Sequence, residues 1–441
     1  MSATRRRDIR KNLDWITIGL YALLVMIGWT AIYSANFEAE HAAVFDFGAD
    51  HGRQIIWMGV CAFIALVLLN TEGEFFIRFS VISYLVVFLM LILVLIIGKK
   101  VGGARSWFGV GSFGIQPSEF AKTATTLMLA WFIARTGSRF KALKTRLQAA
   151  LIIAVPAGLI LLQPDAGTVL VFAGLVFALY REGLSGNILL VGFGAIVLAV
   201  VAILTGAANV DYPFFGEQSG IYSMLIGLLI LGIVLFLGVR TFTLPRHRKK
   251  NNRVVLITLI GALGFSFAVN YGIETVLKPH QRERIYVLFG MNENPDADYN
   301  IRHAKAAIGS GGWTGKGYLN GPMTRYDFVP EQHTDFIFCT IGEEWGFFGS
   351  FFVVTLFVVL ILRIISLAER QRSQFSRVYG YGVASILFMH LLINVGMVLG
   401  IAPVIGIPLP FFSYGGSSLM GFTILIMIML RLDAERFSVF R

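Results

Sequence analysis

Long apolar runs recur along the whole chain, each ended by a short polar or Gly/Pro-rich stretch. Apolar runs of about 18 or more residues mark membrane-spanning helices. The pattern predicts helices near 14–34, 54–70, 76–98, 118–135, 148–162, 166–181, 186–205, 221–239, 254–275, 337–363, 379–401 and 410–431, twelve in all. None of these runs alternates apolar and polar positions as barrel strands do. The fold class is therefore an all-α polytopic membrane protein.

Composition sharpens this. Of 441 residues, 56% are hydrophobic and 14% charged, and the mean hydropathy is +0.72; a soluble domain is nearer half apolar and a quarter charged. The net charge of +11 would suggest nucleic acid in a soluble protein. Here it tracks topology. With a cytoplasmic N-terminus, the inward segments hold 25 of the 37 Lys and Arg, including "RHRKKNNR", while 18 of the 26 acids fall outward. Basic bias in short loops sets orientation in this sense, and an even number of spans returns the C-terminus to the cytoplasm. No nucleic-acid partner is implied. The basic start "MSATRRRDIRK" leads into an apolar stretch with no small-residue cleavage site, as an uncleaved signal anchor does. Cys61 and Cys339 both lie in apolar runs, which gives neither a disulfide framework nor a metal cluster.

Four irregular segments carry Gly, Pro and paired charges: 99–122, 163–168, the long loop 276–336, and 401–418. All four fall on the outward side, so the chemistry is expected there. "GSGGWTGKG" (309–317) is not a phosphate loop, because Ser310 stands where the first Gly is needed and Gly317 follows Lys316.

Within these segments the charged residues each admit two readings. Asp335 precedes "FIFCTIGEEWG" and suits either a helix cap or a general base beside an apolar wall. Glu343 and Glu344 lie deeper on the same helix, where carboxylates must face a cavity or a cation. In "QPSEFAKT", Pro117 opens a helix and Glu119 and Lys122 are i,i+3 neighbours; Lys122 either snorkels or aims at an anionic group. Asp165 in "QPDAGT" is a cap or a site residue. Arg53, Arg105 and Trp107 are interfacial anchors or counter-charges. His390, alone in an apolar helix, reads as packed or hydrogen-bonded, and no His/Glu/Cys spacing suggests zinc. One outward cavity holding Asp335, Glu344, Asp165 and Glu119, with Arg53, Lys122 and Arg105 opposite, would suit an amphiphile with an anionic head.

The runs "IGSGGWTGKGYLNG", "FVPEQHTDFIF", "GEEWGFFGS", "QPSEFAK", "QPDAGT" and "GIPLPFFSYGGSS" resemble, in order and across most of the chain, the SEDS (shape, elongation, division and sporulation; RodA/FtsW) family. The likeness is nearer its elongation branch than its division branch. It implies a peptidoglycan glycosyltransferase that polymerises lipid II on the outer face of the bacterial cytoplasmic membrane. It also implies partnership with a class B penicillin-binding protein and other membrane proteins of cell elongation. The family's essential aspartate falls on Asp335; its cavity residues match Glu119, Lys122 and Asp165, and Arg53 more loosely. The family usually has ten helices, so 205–254 is expected as an inserted helical pair within a single transmembrane domain, 1–441.

An α-linked donor giving a β product requires inversion, for which one base suffices. Diphosphate then leaves against a cation: Lys122, Arg53 or a divalent ion such as Mg²⁺. A lipid II transporter and a non-enzymatic scaffold are the alternatives. The outward clustering of charge without an inverted repeat disfavours the first, and the second leaves the acid–base cluster unexplained.

Overall fold

A computed structural model describes residues 12–437 apart from 38–42, 102–103, 111–112, 138–139, 141, 213–215, 277–281, 283–285, 287–298 and 327. The basic N-terminus 1–11 and most of the first half of the long loop 276–336 lie outside the described residues.

Apolar runs become helices wherever no Pro or Gly interrupts them. In chain order these are α1 (Trp15–Ala35), α2 (Asp50–Asn70), α3 (Gly73–Ile97), α4 (Pro117–Thr136), α5 (Leu143–Leu162), α6 (Ala166–Ala173), α7 (Val176–Arg181), α8 (Gly186–Ala207), α9 (Ile221–Phe242) and α10 (Pro245–Tyr271). After them come α11 (Tyr299–Gly311), α12 (Pro322–Arg325), α13 (Ile337–Glu369), α14 (Gln374–Val398) and α15 (Gly416–Ala434). Among the described residues ten are long and apolar enough to cross a membrane. Of the twelve segments expected, two do not meet that standard. Helix α4 carries Glu119, Lys122 and three threonines in its first three turns, and the run 166–181 breaks into α6 and α7.

Other boundaries move for local reasons. "RHRKKNNR" was expected as a turn but is helical from Pro245, since Pro suits the first helical position and Lys and Arg are good helix formers. The expected helix at 410 starts only at Gly416. Pro408 and Pro410 lack N–H donors and Phe411 and Gly415 have positive φ (68° and 154°), so 401–415 stays irregular. Two small antiparallel sheets were not expected: β1 (Lys99–Val101), β2 (Ala104–Val110) and β3 (Phe113–Ile115) in order, and β4 (Asn209–Tyr212) with β5 (Gly216–Ser219).

The chain falls into two compact units, 1–184 with 300–441, and 185–299; the segment 205–254 lies inside the second. In that second unit α8, α9 and α10 pack on one another around Ala202, Ile221 and Met224. In the first, α15 is 89% buried along its apolar stretch and α14 67%, whereas α2 and α5 are 17% and α3 22% buried. The inner helices are thus α14 and α15. Helix α4 packs on both, and α1, α2, α3 and α13 surround them.

Helix α13 is not continuous. Gly346 (φ 64°, ψ −157°) breaks it, and the stretch 312–317 fills the gap. Lys316 and Gly317 donate N–H groups to the Glu343 and Glu344 carbonyls (both 3.0 Å), while Phe347 and Phe348 donate to Gly312 and Trp313 (2.9 and 3.1 Å). A Cβ on Gly315 (φ +79°) would lie 2.0 Å from the Glu344 carbonyl oxygen, so only glycine fits. The glycines of "GSGGWTGKG" thus serve close backbone approach, and two of the donors a phosphate loop would offer are already engaged.

The end of the first unit near the chain termini is tied by charge. Asp14 caps α1 through the Thr17 N–H (3.0 Å) and also pairs with Arg363 of α13; Arg370 and Gln371 bind Asp433 of α15. Burial alone would raise the Asp14 carboxyl, but hydrogen bonds from Arg363 and Thr17 outweigh it and hold it at about 2. A lowered carboxyl stabilises the fold above its ordinary pKa of 3.8 and loses that contribution as pH falls through its folded value. Asp14→Asn should cost about 2 kcal/mol at neutral pH. Melting of purified protein should show the wild-type advantage narrowing between about pH 5 and pH 2; a gap that is constant over this range contradicts the pairing.

Candidate functional site

Helix α4 starts with Pro117, which needs no N–H partner there, and puts Glu119 in its first turn at the positive end of the helix. One turn on, the Lys122 Nζ lies 2.7 Å from Glu119 Oε2, and both side chains are at most 3% exposed. Lys122 therefore does not snorkel to the protein surface. Its Nζ is also 3.0 Å from His390 Nε2 on α14 and 4.3 Å from the centre of the Phe422 ring on α15. Helix α4 and the two inner helices thus meet at one ammonium.

The neighbouring carboxylate is reached through Gln116. Its Nε2 donates to Asp165 Oδ2 (3.3 Å), while Asp165 caps α6 through the Thr168 N–H (3.0 Å) and hydroxyl (2.8 Å). The Gln116 N–H donates to Ser417 Oγ of α15 (2.9 Å).

The irregular segment 401–415 runs beside residues 333–335. Asn394 Nδ2 on α14 donates to the Asp335 carbonyl (2.8 Å) and to the Ile407 carbonyl (2.7 Å). Ser413 Oγ donates to the Thr334 carbonyl (2.6 Å), and the Tyr414 N–H to the His333 carbonyl (2.9 Å). Gly406 (φ +64°) sits against the aspartate itself: a Cβ there would be 3.2 Å from Asp335 Oδ2. Asp335 is half-buried. It is not the N-cap of α13: that position belongs to Phe336, and the helix has no side-chain cap.

Arg53 stands in the first turn of α2 with Asp50 (3.4 Å) and the Gly48 carbonyl (2.8 Å). Asp50 also lies 3.6 Å from His333 Nε2. Tyr414 is pushed up to about 12 by burial and by the nearby Asp50 charge. Arg53 thus joins the far end of the same segment.

The bonds of three expected residues run elsewhere. Glu344 accepts from the Ser34 hydroxyl and from the Leu319 N–H (3.0 Å). Its neighbour Glu343 binds the N–H groups of Met323 and Thr324 (2.9 and 2.8 Å) and faces Lys316 (3.6 Å). Both acids thus hold the loop that fills the α13 break. Arg105, exposed, reaches the Ile96 carbonyl (3.5 Å), and Trp107 packs on Gly114 within the β1–β3 sheet. An apolar cavity of about 450 Å³ between α1 and α13, lined by Ile27, Thr30, Tyr318, Ile341, Trp345 and Phe352, is likewise apart from Lys122 and Asp335.

Among the described residues no group of three or more His, Cys, Asp or Glu side chains could hold a metal ion. Asn394, Asp50, His333 and Tyr414 were not singled out from the sequence. His390 with Asn394 carried a signal, two polar residues one turn apart just before a Pro/Gly-rich break.

The family model described as "Cell cycle protein" (FtsW, RodA and SpoVE) matches residues 14–212 and 222–437. The chain belongs to this family. The match runs through most of 205–254, the segment expected as an insert, and passes over 213–221. The chain is similar to the peptidoglycan glycosyltransferase RodA of Treponema pallidum, 31% identical over 96% of this chain and 98% of that one. It is also similar to the peptidoglycan glycosyltransferase MrdB of Escherichia coli K12, 32% identical over 91% and 88%. A solved structure described as structural coordination of polymerization and crosslinking by a peptidoglycan synthase complex aligns over 97% of this chain and 99% of its own, with TM-score 0.65 and 25% identity.

Removing the ammonium strands a buried carboxylate. Lys122→Met should cost about 3–5 kcal/mol, and adding Glu119→Gln should return most of it. Equal melting temperatures for the single and double variants would show that Glu119 does not depend on Lys122.

Proposed function

We propose that this chain is a peptidoglycan glycosyltransferase that polymerises lipid II on the outward face of the bacterial cytoplasmic membrane. In this reading it serves cell elongation alongside a class B penicillin-binding protein. The observation that carries the reading is the convergence on Gly406–Pro408. Asp335 lies against Gly406, and Lys122 reaches Pro408 through His390. A carboxylate and an ammonium are thereby held by one short stretch of backbone beside apolar helices. That pairing suits a sugar hydroxyl and a diphosphate on a lipid carrier.

In the proposed reaction, the 4-hydroxyl of one sugar attacks the anomeric carbon of another and its diphosphate departs with inversion. Asp335 accepts the hydroxyl proton, and the half-buried setting keeps bulk water from competing for it. Diphosphate needs positive charge rather than an acid, and Lys122, with Arg53 at the far end of the segment, supplies it. Asp165 and Glu119 fix Gln116 and Lys122.

Asp335→Asn keeps size and removes the proton acceptor. With purified protein, its partner and lipid II, the variant should melt near wild type yet lose about 10²–10⁴-fold in polymerisation rate. Retention of more than roughly a tenth of the activity assigns the base elsewhere. The orientation has its own test. Asn320 is exposed, and a cysteine there should react with a membrane-impermeant thiol reagent in intact spheroplasts. Labelling only after permeabilisation would reverse the proposed sidedness.

A further inference from the structure

His390 moves no proton in the proposed reaction, yet it is buried at 1% exposure with both ring nitrogens engaged. Its Nδ1 lies 3.1 Å from the Pro408 carbonyl oxygen, which can only accept, so Nδ1 carries the proton. Its Nε2 lies 3.0 Å from the Lys122 ammonium, which can only donate, so Nε2 presents its lone pair. The ring is therefore a neutral imidazole of one fixed tautomer. Phe422 meets it edge-on (4.8 Å, 85°) and limits its rotation.

One turn further along α14, Asn394 holds the adjacent carbonyl, Ile407, and with the same nitrogen the carbonyl of Asp335. Two side chains on one face of α14 thus grip consecutive carbonyls of 401–415. One also grips the aspartate's backbone and the other the lysine. A lysine ammonium rides on a flexible four-carbon stem. Without His390 its remaining fixed hydrogen bond would be to Glu119, which belongs to its own helix.

We infer that His390 is a positioning residue: as a neutral acceptor it fixes the Lys122 ammonium relative to Asp335, with Asn394 completing the ruler along α14. This rests on the reading of Lys122 as the cation and Asp335 as the base. Small displacements of catalytic groups cost rate more than affinity.

The test pairs kinetics with a direct view of the ring. His390→Phe keeps an aromatic ring and removes both bonds; His390→Gln returns an acceptor near the Nε2 position. With the full chain, its partner and lipid II, His390→Phe should lower kcat about 10- to 100-fold while KM stays within roughly threefold, and His390→Gln should regain most of the loss. In wild-type protein labelled with ¹⁵N-histidine, with His390→Gln assigning the signals, His390 should show one protonated Nδ1 and one bare Nε2. Lys122→Met should move the Nε2 signal. An Nε2–H tautomer, a doubly protonated ring, or an Nε2 signal indifferent to Lys122→Met overturns the inference, even if His390→Phe does not fold. So does a kcat for His390→Phe within about twofold of wild type, or equal losses in both His390 variants. Wild-type protein that makes no glycan would instead overturn the polymerase reading, while the nitrogen signals still decide the geometry.

Discussion

Backbone that leaves the helix inside a membrane has to find every hydrogen bond within the protein. Two stretches meet that constraint, and the rest of the first unit is arranged around them. The α13 break at Gly346 is closed by 312–317, whose N–H and C=O groups replace the missing helical partners. The segment 401–415 runs beside 333–335, bonded there by the Tyr414 N–H and the Ser413 hydroxyl. Besides its backbone bonds, side chains of α14 and Ser413 of the segment itself support it: His390, Asn394 and Ser413 each take or give one at a defined carbonyl or amide. A site assembled this way is rigid because its irregular parts cannot relax without stranding buried polar groups.

The same constraint explains why the cation sits where it does. An ammonium buried among three helices is costly unless its protons are all answered. Glu119 gives the charge, His390 a lone pair and Phe422 the negative face of a ring. Glu119 already balances the single positive charge, so a second carboxylate in place of the imidazole would leave the cluster net negative; a neutral imidazole bonds the ammonium without adding charge. The choice of partner thus holds the Lys122 ammonium in place while keeping the cluster near neutrality.

Much of this was legible in the sequence because hydropathy and turn chemistry are local. The membrane helices follow from apolar runs, and Asp165 as the cap of α6 from "QPDAGT". Lys122 beside Glu119 follows from helical spacing alone. What the sequence hid was either cooperative or long-range. The β1–β3 sheet forms from short runs with no strong alternation. "RHRKKNNR" reads equally as a solvated turn or a solvated helix, and Pro245 decides it. Glu344 looked like a site acid because buried carboxylates need a reason. Its reason is Ser34 and Leu319, 310 and 25 residues away in sequence. Asp335 looked like a cap because aspartate before an apolar helix usually is one; the helix instead begins one residue later.

That last displacement matters for chemistry. An aspartate that caps a helix spends its oxygens on backbone N–H groups and is a poor proton acceptor. By ceding the cap position to Phe336, α13 leaves the Asp335 carboxylate facing Gly406, where the absence of a Cβ keeps space at 3.2 Å from Oδ2. Larger side chains at 406 would fill that space and would also have to adopt φ +64°. The glycine therefore does two things at once: it lets the segment turn at φ +64°, and it leaves the Asp335 carboxylate uncrowded by a side chain at 406. Backbone conformation and the surroundings of the aspartate are joined at one residue, and sequence composition alone, which shows a glycine among prolines, records only the first.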